Sequence, residues 1–435
     1  MVELKTQYTS RFTTLLTMVG VAVGLGNVWR FPYMMGSYGG SAFLAVYLLF
    51  TILFAFPALM AEMTLGRMSG KGTIDAFRLV FGQKTGFIIG GFLLIVITIS
   101  GSYYAVVVSN VVFTAAYSII VGFGPANQAT YGELLSNHWL QYSVTIVLII
   151  SCLYIMHKGL IKGIEWLSKI VMPLFVVSLL YMIFHALTLP DAGHQFKLFL
   201  QPDLSKLGSS EIFAALGQAF FSVGLGGTFV VVYSSYLKPN ESIPRMALLT
   251  GLGDVGASLL VSLFLIPSIL VFGLDMASGP GLIFDTFPKL FGTMPGGRIV
   301  GSLFLVTLSL VAFLSLIAAY QVPFVSIRNE KPNLNSKKLL LTIGLIQAIL
   351  ALPSSLNPSL VNYLDLILGS GMQVLGSVLC VLGLTWGLRK NSAMQEMFLL
   401  DKSNLAARNL GIFWIRWIIP LALVIVLISY IIETF

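Results

Sequence analysis

Long apolar runs recur along the whole chain, and they constrain its fold more than any other feature. A helix of about 20 apolar residues crosses a lipid bilayer, whereas a surface helix of a soluble domain is apolar along one stripe only. Charged residues make up 10% of the 435 positions and the mean hydropathy is +0.92. Soluble domains carry roughly 25% charged residues. The composition excludes a soluble enzyme and predicts an all-α polytopic membrane protein.

Glycine, proline and charged residues divide the apolar runs into eleven predicted spans. With the N-terminus in the cytoplasm, nineteen lysines and arginines fall on the cytoplasmic side and four on the other, while Arg30 and Arg416 lie within spans. Positive charge collects on the cytoplasmic side of membrane proteins. The predicted spans are 12–37, 41–66, 87–119, 141–157, 164–189, 211–236, 246–273, 297–327, 337–354, 361–388 and 410–433.

This charge distribution predicts a multi-pass protein of the cell (inner) membrane with a cytoplasmic N-terminus. Because the number of spans is odd, the C-terminus is expected outside the cytoplasm. The net charge of +8 then reflects topology, so a nucleic-acid partner is not expected.

Two predicted spans carry a glycine-rich break in the middle of an apolar run. Span 1 contains VGLGN at 23–27, and span 6 contains VGLGG at 223–227. A single such segment would indicate close helix packing, but matching breaks five spans apart are typical of transporters with inverted repeats. We therefore predict an inverted repeat of two five-helix halves, 12–189 and 211–388, with unwound spans 1 and 6. A tail at 1–11 precedes them and an eleventh helix at 410–433 follows.

Three carboxylates lie within predicted spans, where a charge is costly and usually functional. Glu62 is expected to accept hydrogen bonds from the exposed backbone of a broken helix. Asp254 is interpreted as a functional group, with a helix-start residue as the alternative. Asp365 is either a helix cap or the counter-charge of Arg30, in which case the pair closes the path from outside.

Several motifs carry a resemblance to a known family. The segment GVAVGLGNVWRFPY at 20–33 is followed by YGG at 38–40, EMTLGR at 62–67, SYY at 102–104 and GQAFFS at 217–222. This set resembles the signature of the neurotransmitter:sodium symporter family, in its bacterial eleven-helix form. The resemblance implies sodium-driven uptake of an amino acid by alternating access. A membrane-embedded enzyme is not expected, because the sequence shows no nucleophile paired with a base, no metal cluster and no phosphate-binding loop.

The resemblance also implies where ions bind. The first sodium site falls on the carbonyl of Ala22 and the side chains of Asn27, Ser222 and Asp254, completed by the substrate carboxylate. The family's chloride position falls on Tyr47, Gln218, Ser222 and Ser258; because Asp254 supplies a fixed negative charge nearby, chloride is not expected.

A second sodium site falls on Gly20, Val23, Val311 and Ser315, but Leu314 stands where the family has an oxygen-bearing side chain. Three alternatives follow from this leucine. The second ion is absent, a water fills the gap, or a cationic side chain such as Lys169 replaces it.

For the substrate, the resemblance places backbone N–H groups of Leu25 and Gly26 and the Tyr104 hydroxyl on a carboxylate. Gly24, in place of the aspartate of monoamine transporters, favours an amino acid. Small residues in the side-chain pocket predict a large apolar or aromatic substrate. The substrate positions are Ala22, Gly24, Leu25, Gly26, Ser100, Tyr104, Phe220, Phe221, Ser222, Gly224, Gly226, Gly227, Ser315 and Ala319.

Two gates complete the implied site. The cytoplasmic gate pairs Lys5 with Glu330, supported by Tyr8 and Tyr236. Phe221 and Tyr104 form a thin lid over the substrate, with Arg30 and Asp365 above it. The expected partners are the amino acid and the lipid bilayer, and the chain is expected to be a monomer or weak dimer. An amino-acid sensor on the same scaffold, without net transport, is the alternative function.

Overall fold

The structure, a computed structural model, describes residues 7–274, 281–388, 390–399 and 405–434. Within these ranges every regular element is a helix, which confirms the predicted fold class. Nine of the described helices are long and apolar enough to cross a membrane singly. In chain order they are Ser41–Ser69, Gln83–Ile120, His138–His157, Leu160–Leu187, Ile243–Val271, Gly297–Glu330, Ser336–Leu356, Pro358–Gly387 and Arg408–Ser429, which are spans 2 to 5 and 7 to 11.

Spans 1 and 6 are both interrupted, as predicted. Span 1 consists of Arg11–Ala22 and Leu25–Ser37, bent by 70° at the break. Span 6 consists of Ser209–Ser222 and Phe229–Ser234, each too short to cross a bilayer alone. We call the side where Arg11 lies the N-terminal side, and the opposite side the far side.

Shorter helices connect the spans, and several spans include a π-helical turn. These turns are Thr51–Ala55 in span 2, Leu160–Glu165 in span 5, Asp365–Met372 and Gly383–Gly387 in span 10, and Trp414–Ile418 in span 11. The connecting helices are Thr73–Phe81, Pro125–Asn127, Gln128–Leu135, Ala192–Leu200, Leu204–Lys206, Leu282–Thr286, Phe287–Thr293 and Lys390–Met397.

Local sequence explains where several helices begin and end. The Ser10 hydroxyl accepts a hydrogen bond from Thr13 N at 3.3 Å and starts span 1. Asn335 accepts one from Lys337 N at 2.9 Å and starts span 9. Gly70 ends span 2 with a φ of 59°, a left-handed conformation that glycine adopts without strain.

The broken spans lie among the most buried helices. Span 7 is 67% buried over its most apolar stretch and span 8 61%, against 33% for spans 4 and 11. The N-terminal half of span 1 packs against spans 5, 7 and 8, and the second half of span 6 packs against spans 2 and 8. Spans 4 and 11 therefore face the lipid, while both breaks lie inside the bundle.

Candidate functional site

A polar cluster joins spans 1, 6 and 7 beside the first break. Asn27 Nδ2 donates hydrogen bonds to Asp254 Oδ1 at 2.6 Å and to Ser258 Oγ at 2.8 Å. Ser222 Oγ donates to Asp254 Oδ2 at 2.5 Å. All four side chains are at most 3% exposed. The fold thus brings together three of the residues expected at the first sodium site from positions about 200 residues apart in the chain.

The chemistry of this cluster fits a small hard cation. Carboxylate and hydroxyl oxygens, which Asp254, Ser222 and Ser258 supply here, are ligands that such ions prefer. The Asn27 amide oxygen accepts a hydrogen bond from Gly24 N at 2.8 Å. Asp254 is fully buried, and within the described ranges it forms no ion pair with a lysine or arginine. A buried carboxylate without a positive partner is strongly disfavoured, so a bound cation would stabilise it.

A cavity of about 400 Å³ begins at this cluster and extends along span 3 towards the far side. Its volume is in the range of small-molecule sites. It is lined by most of the expected substrate and outer-gate residues, namely Ala22, Gly24, Leu25, Gly26, Arg30, Ser100, Tyr104, Phe221, Ser222, Gly224, Ser315, Ala319 and Asp365.

Phe220, Gly226 and Gly227 were also expected to contact substrate, but they do not line this cavity. Phe220 is 1% exposed and points into the helix packing. A Cβ atom on Gly226 would contact Gln373, and one on Gly227 would lie 2.8 Å from the carbonyl oxygen of Gly376. Gly226 and Gly227 therefore pack against span 10, and Phe220 packs within the helix bundle.

Glu62 holds the second break open, as predicted. Its Oε1 atom accepts hydrogen bonds from Gly226 N and Gly227 N, both at 3.0 Å. Glu62 is fully buried, and backbone N–H groups left unpaired inside a membrane protein are costly. The carboxylate replaces the helical acceptors that the unwound segment lacks.

Hydroxyl groups surround Gly24 at the first break. A Cβ atom there would lie 3.3 Å from Ser315 Oγ and 3.5 Å from Tyr104 Oη. Ser315 Oγ donates to the carbonyl oxygen of Val23 at 2.9 Å. Position 24 therefore has room for a ligand oxygen but little for a side chain.

Two glycines shape the walls of the cavity. A Cβ atom on Gly26 would lie 2.9 Å from Phe221 Cε1, so the phenyl ring packs directly on the backbone of span 1. Gly224 has a φ of 71°, and a Cβ atom there would meet nothing within 4 Å. The cavity is consequently open beside Gly224.

Two charged residues lie on the far side of the cavity. The Arg30 guanidinium carbon is 4.7 Å from the centroid of the Phe221 ring. Asp365 Oδ1 accepts a hydrogen bond from Tyr103 Oη at 3.2 Å. Both charges line the cavity together with Phe221 and Tyr104.

Leu314 lies at the position expected of the second sodium site and packs against span 1. A Cβ atom on Gly20 would be 3.2 Å from Leu314 Cδ1 and 3.4 Å from Met172 Sδ. Lys169, the cation considered as a substitute for the ion, is exposed on span 5 and does not point inward. Val311 is fully buried beside Leu314 on span 8.

Of the residues expected to form the gate on the N-terminal side, the structure describes Glu330, Tyr8 and Tyr236. Lys5 lies outside the described residues, and both carboxylate oxygens of Glu330 bind Arg78 of the helix Thr73–Phe81. The expected aromatic contact is present, because the rings of Tyr8 and Tyr236 lie 6.0 Å apart edge to face.

Sequence reasoning missed several residues of the site. Asn110 and Gln373 line the cavity, and Tyr103 binds Asp365. Glu165, fully buried at the start of span 5, accepts hydrogen bonds from Thr9. Each of these four residues is polar and lies within or at the edge of an apolar span, and this feature of the sequence could have identified them.

Known proteins match this chain over most of its length. A model of the sodium:neurotransmitter symporter family matches residues 5–124 and 133–433. The sodium-dependent transporter YhdH of Bacillus subtilis is 28% identical over 98% of this chain and 97% of its own. A sodium-dependent serotonin transporter of Drosophila melanogaster is 26% identical over 92% of this chain and 72% of its own.

A solved structure has the same fold. The crystal structure of MhsT in complex with L-phenylalanine has a TM-score of 0.87 and 30% identity to this chain. The match covers 98% of this chain and 99% of MhsT.

Proposed function

This chain belongs to the sodium:neurotransmitter symporter family, and from that premise we propose that it imports a large apolar or aromatic amino acid together with sodium. Sodium dependence is part of the names of its bacterial relatives. The proposal extends to an import direction, with the N-terminal side in the cytoplasm, on the basis of the nineteen-to-four distribution of basic residues.

One observation carries the proposal. Asn27, Ser222 and Asp254 converge within hydrogen-bond distance at the base of a cavity that both helix breaks border. A sodium ion held there would compensate Asp254 and lie beside the carboxylate of a bound amino acid. Because each charge stabilises the other, ion and substrate bind cooperatively, and this coupling lets a sodium gradient drive uptake.

The substrate carboxylate is proposed to bind at the start of Leu25–Ser37. The first N–H groups of a helix have no acceptor within it and carry the positive end of its dipole. Leu25 and Gly26, the first residues of this helix, line the cavity together with Tyr104. An aspartate at position 24 would repel a carboxylate, so Gly24 supports an amino acid over a monoamine.

The substrate side chain is proposed to occupy the open space beside Gly224. Ser100, Ser315 and Ala319 are small and leave volume there. The related MhsT was crystallised with L-phenylalanine. Both observations support an aromatic or large aliphatic amino acid, such as tyrosine, tryptophan or leucine.

We propose that a single sodium ion is coupled and that chloride is not required. The Leu314 methyl groups offer no oxygen near Gly20, and an under-coordinated buried ion is unfavourable. Since Lys169 is exposed, a cationic replacement is not favoured. The carboxylate of Asp254 supplies the negative charge that a chloride ion would otherwise provide.

Uptake into proteoliposomes under an imposed sodium gradient tests the proposal. Purified protein should accumulate labelled tyrosine when sodium is outside and lose this accumulation when potassium replaces sodium. A sensor would bind the amino acid in a sodium-dependent manner without accumulating it. Accumulation to the same level with and without a sodium gradient would refute symport.

A further inference from the structure

We propose that Glu165 is a positioning residue for transport, which holds the start of span 1 against span 5 and keeps the N-terminal side of the path closed. The inference rests on the alternating access of the proposed function. It assigns to span 5 an acidic partner of the described part of the N-terminal segment, whereas Glu330 binds Arg78 of the helix Thr73–Phe81.

The carboxylate of Glu165 receives donors from two consecutive turns of the chain. Oε1 accepts from Thr9 N at 2.8 Å and from Thr13 Oγ1 at 2.7 Å. Oε2 accepts from Thr9 Oγ1 at 3.0 Å. Glu165 itself ends the π-helical turn Leu160–Glu165 and has no exposed surface. Span 1 therefore begins on a set of contacts that cross to span 5.

These donors are all uncharged, so the contact between span 1 and Glu165 consists of short-range hydrogen bonds. Within the part of the chain that the structure describes, Glu165 forms no ion pair. An ionised carboxylate only accepts hydrogen bonds, so the backbone amide and two hydroxyls match it. When span 1 moves away, a buried charge loses every one of these partners, and this is costly until water replaces them.

The opposite side of the same segment is also anchored. Lys238 Nζ donates to the carbonyl oxygen of Thr9 at 2.9 Å, and Thr14 Oγ1 donates to Glu241 Oε1 at 3.2 Å. Both partners lie between spans 6 and 7. The segment Thr9–Thr14 thus connects span 5 with the 238–241 loop, and Glu165 provides the span 5 side of this connection. Opening towards the N-terminal side requires that Glu165 release it.

A cysteine reporter on span 1 tests this role. Thr17 is fully buried on Arg11–Ala22, and Thr17→Cys would react with a membrane-impermeant thiol reagent only when the N-terminal side opens. Cys152 and Cys380 are both buried and would be replaced by alanine. The rate of labelling is measured in sodium buffer for Glu165→Gln and for Thr13→Val, with Glu133→Gln, a change at an exposed position, as the control.

We expect Glu165→Gln and Thr13→Val each to increase the labelling rate about tenfold, since each removes a hydrogen bond to a charged group. Glu133→Gln should leave it unchanged. A higher apparent KM for external substrate should accompany the faster labelling, because fewer molecules face outward. If Glu165→Gln does not fold, Thr13→Val decides, since it leaves the carboxylate in place.

Labelling of both variants at the control rate would overturn the role of Glu165. This readout needs no transport, so it separates the two proposals. Faster labelling in a protein that never accumulates substrate would refute symport and retain the role of Glu165. Normal accumulation with unchanged labelling would support symport and refute the role of Glu165.

Discussion

Leu314 approaches Gly20 so closely that a methyl group on Gly20 would lie 3.2 Å from Leu314 Cδ1. The contact joins span 8 to the N-terminal half of span 1 through apolar atoms. On the other side of the break, Asn27, Ser222 and Asp254 join span 1 to spans 6 and 7 through polar atoms. Span 1 thus meets spans 6 and 7 through a polar cluster, whereas its contact with span 8 is apolar at Gly20 and polar at Val23, whose carbonyl oxygen accepts from Ser315 Oγ.

Leu314→Thr should lower the sodium concentration that gives half-maximal uptake, because a hydroxyl would replace a methyl at the second ion position. Leu314→Val is the matched control, as valine has the shape of threonine without its oxygen. Uptake is measured against sodium concentration at constant ionic strength. An equal response of the two variants would contradict a missing oxygen as the cause.

Asp254→Asn should raise the half-maximal sodium concentration by tenfold or more. The variant keeps the shape of the side chain but removes the charge that a sodium ion compensates, and charged hydrogen-bonded pairs contribute about 1.5–3 kcal/mol. Sodium-dependent binding of labelled substrate measures the effect. Asp285→Asn, at an exposed position next to Lys289, is the control and should bind normally.

Replacing chloride by gluconate should leave uptake by the native protein unchanged. The buried carboxylate of Asp254 already provides a fixed negative charge next to Ser222 and Ser258. Initial rates in the two salts at equal sodium concentration give the comparison. A loss of uptake in gluconate would mean that Asp254 does not replace the anion.

Glu62→Gln should destabilise the protein by about 1–3 kcal/mol, because two buried N–H groups lose a charged acceptor. The relevant contacts are those from Gly226 N and Gly227 N at 3.0 Å. Thermal unfolding in detergent, with and without substrate, measures the loss. Glu133→Gln, which removes an exposed carboxylate, should have the stability of the native protein.

Tryptophan and leucine should compete with labelled tyrosine for uptake, and glycine and alanine should not. The reason is the open space beside Gly224, which a small side chain would leave unfilled. Competition at equal concentrations gives the ranking. Inhibition by glycine and alanine without inhibition by tryptophan or leucine would overturn the assignment of a large substrate.

Much of the fold could be predicted because its causes are local. The span positions follow from apolar runs, and both breaks follow from clustered glycines within them. The role of Glu62 was also predictable, since a carboxylate inside a lipid-buried helix needs donors and an unwound helix offers them. The structure confirms it at Gly226 and Gly227.

The partners of other charges could not be predicted in this way. Glu330 binds Arg78 across 252 positions, and Glu165 binds Thr9 across 156. At the ends of the spans several basic and hydroxyl groups compete for each carboxylate. Small differences in helix tilt decide which of them comes within 3 Å, and no periodicity in the chain encodes that tilt.

The sequence by itself determined the membrane class, the number of spans and the two places where helices unwind, because hydrophobicity and backbone freedom act over a few neighbouring residues. Only the tertiary structure decided which side chains meet at those breaks. Asn27 and Asp254 become hydrogen-bonded at 2.6 Å because the packing of spans 1 and 7 removes them together from lipid and water, an effect that depends on the whole bundle.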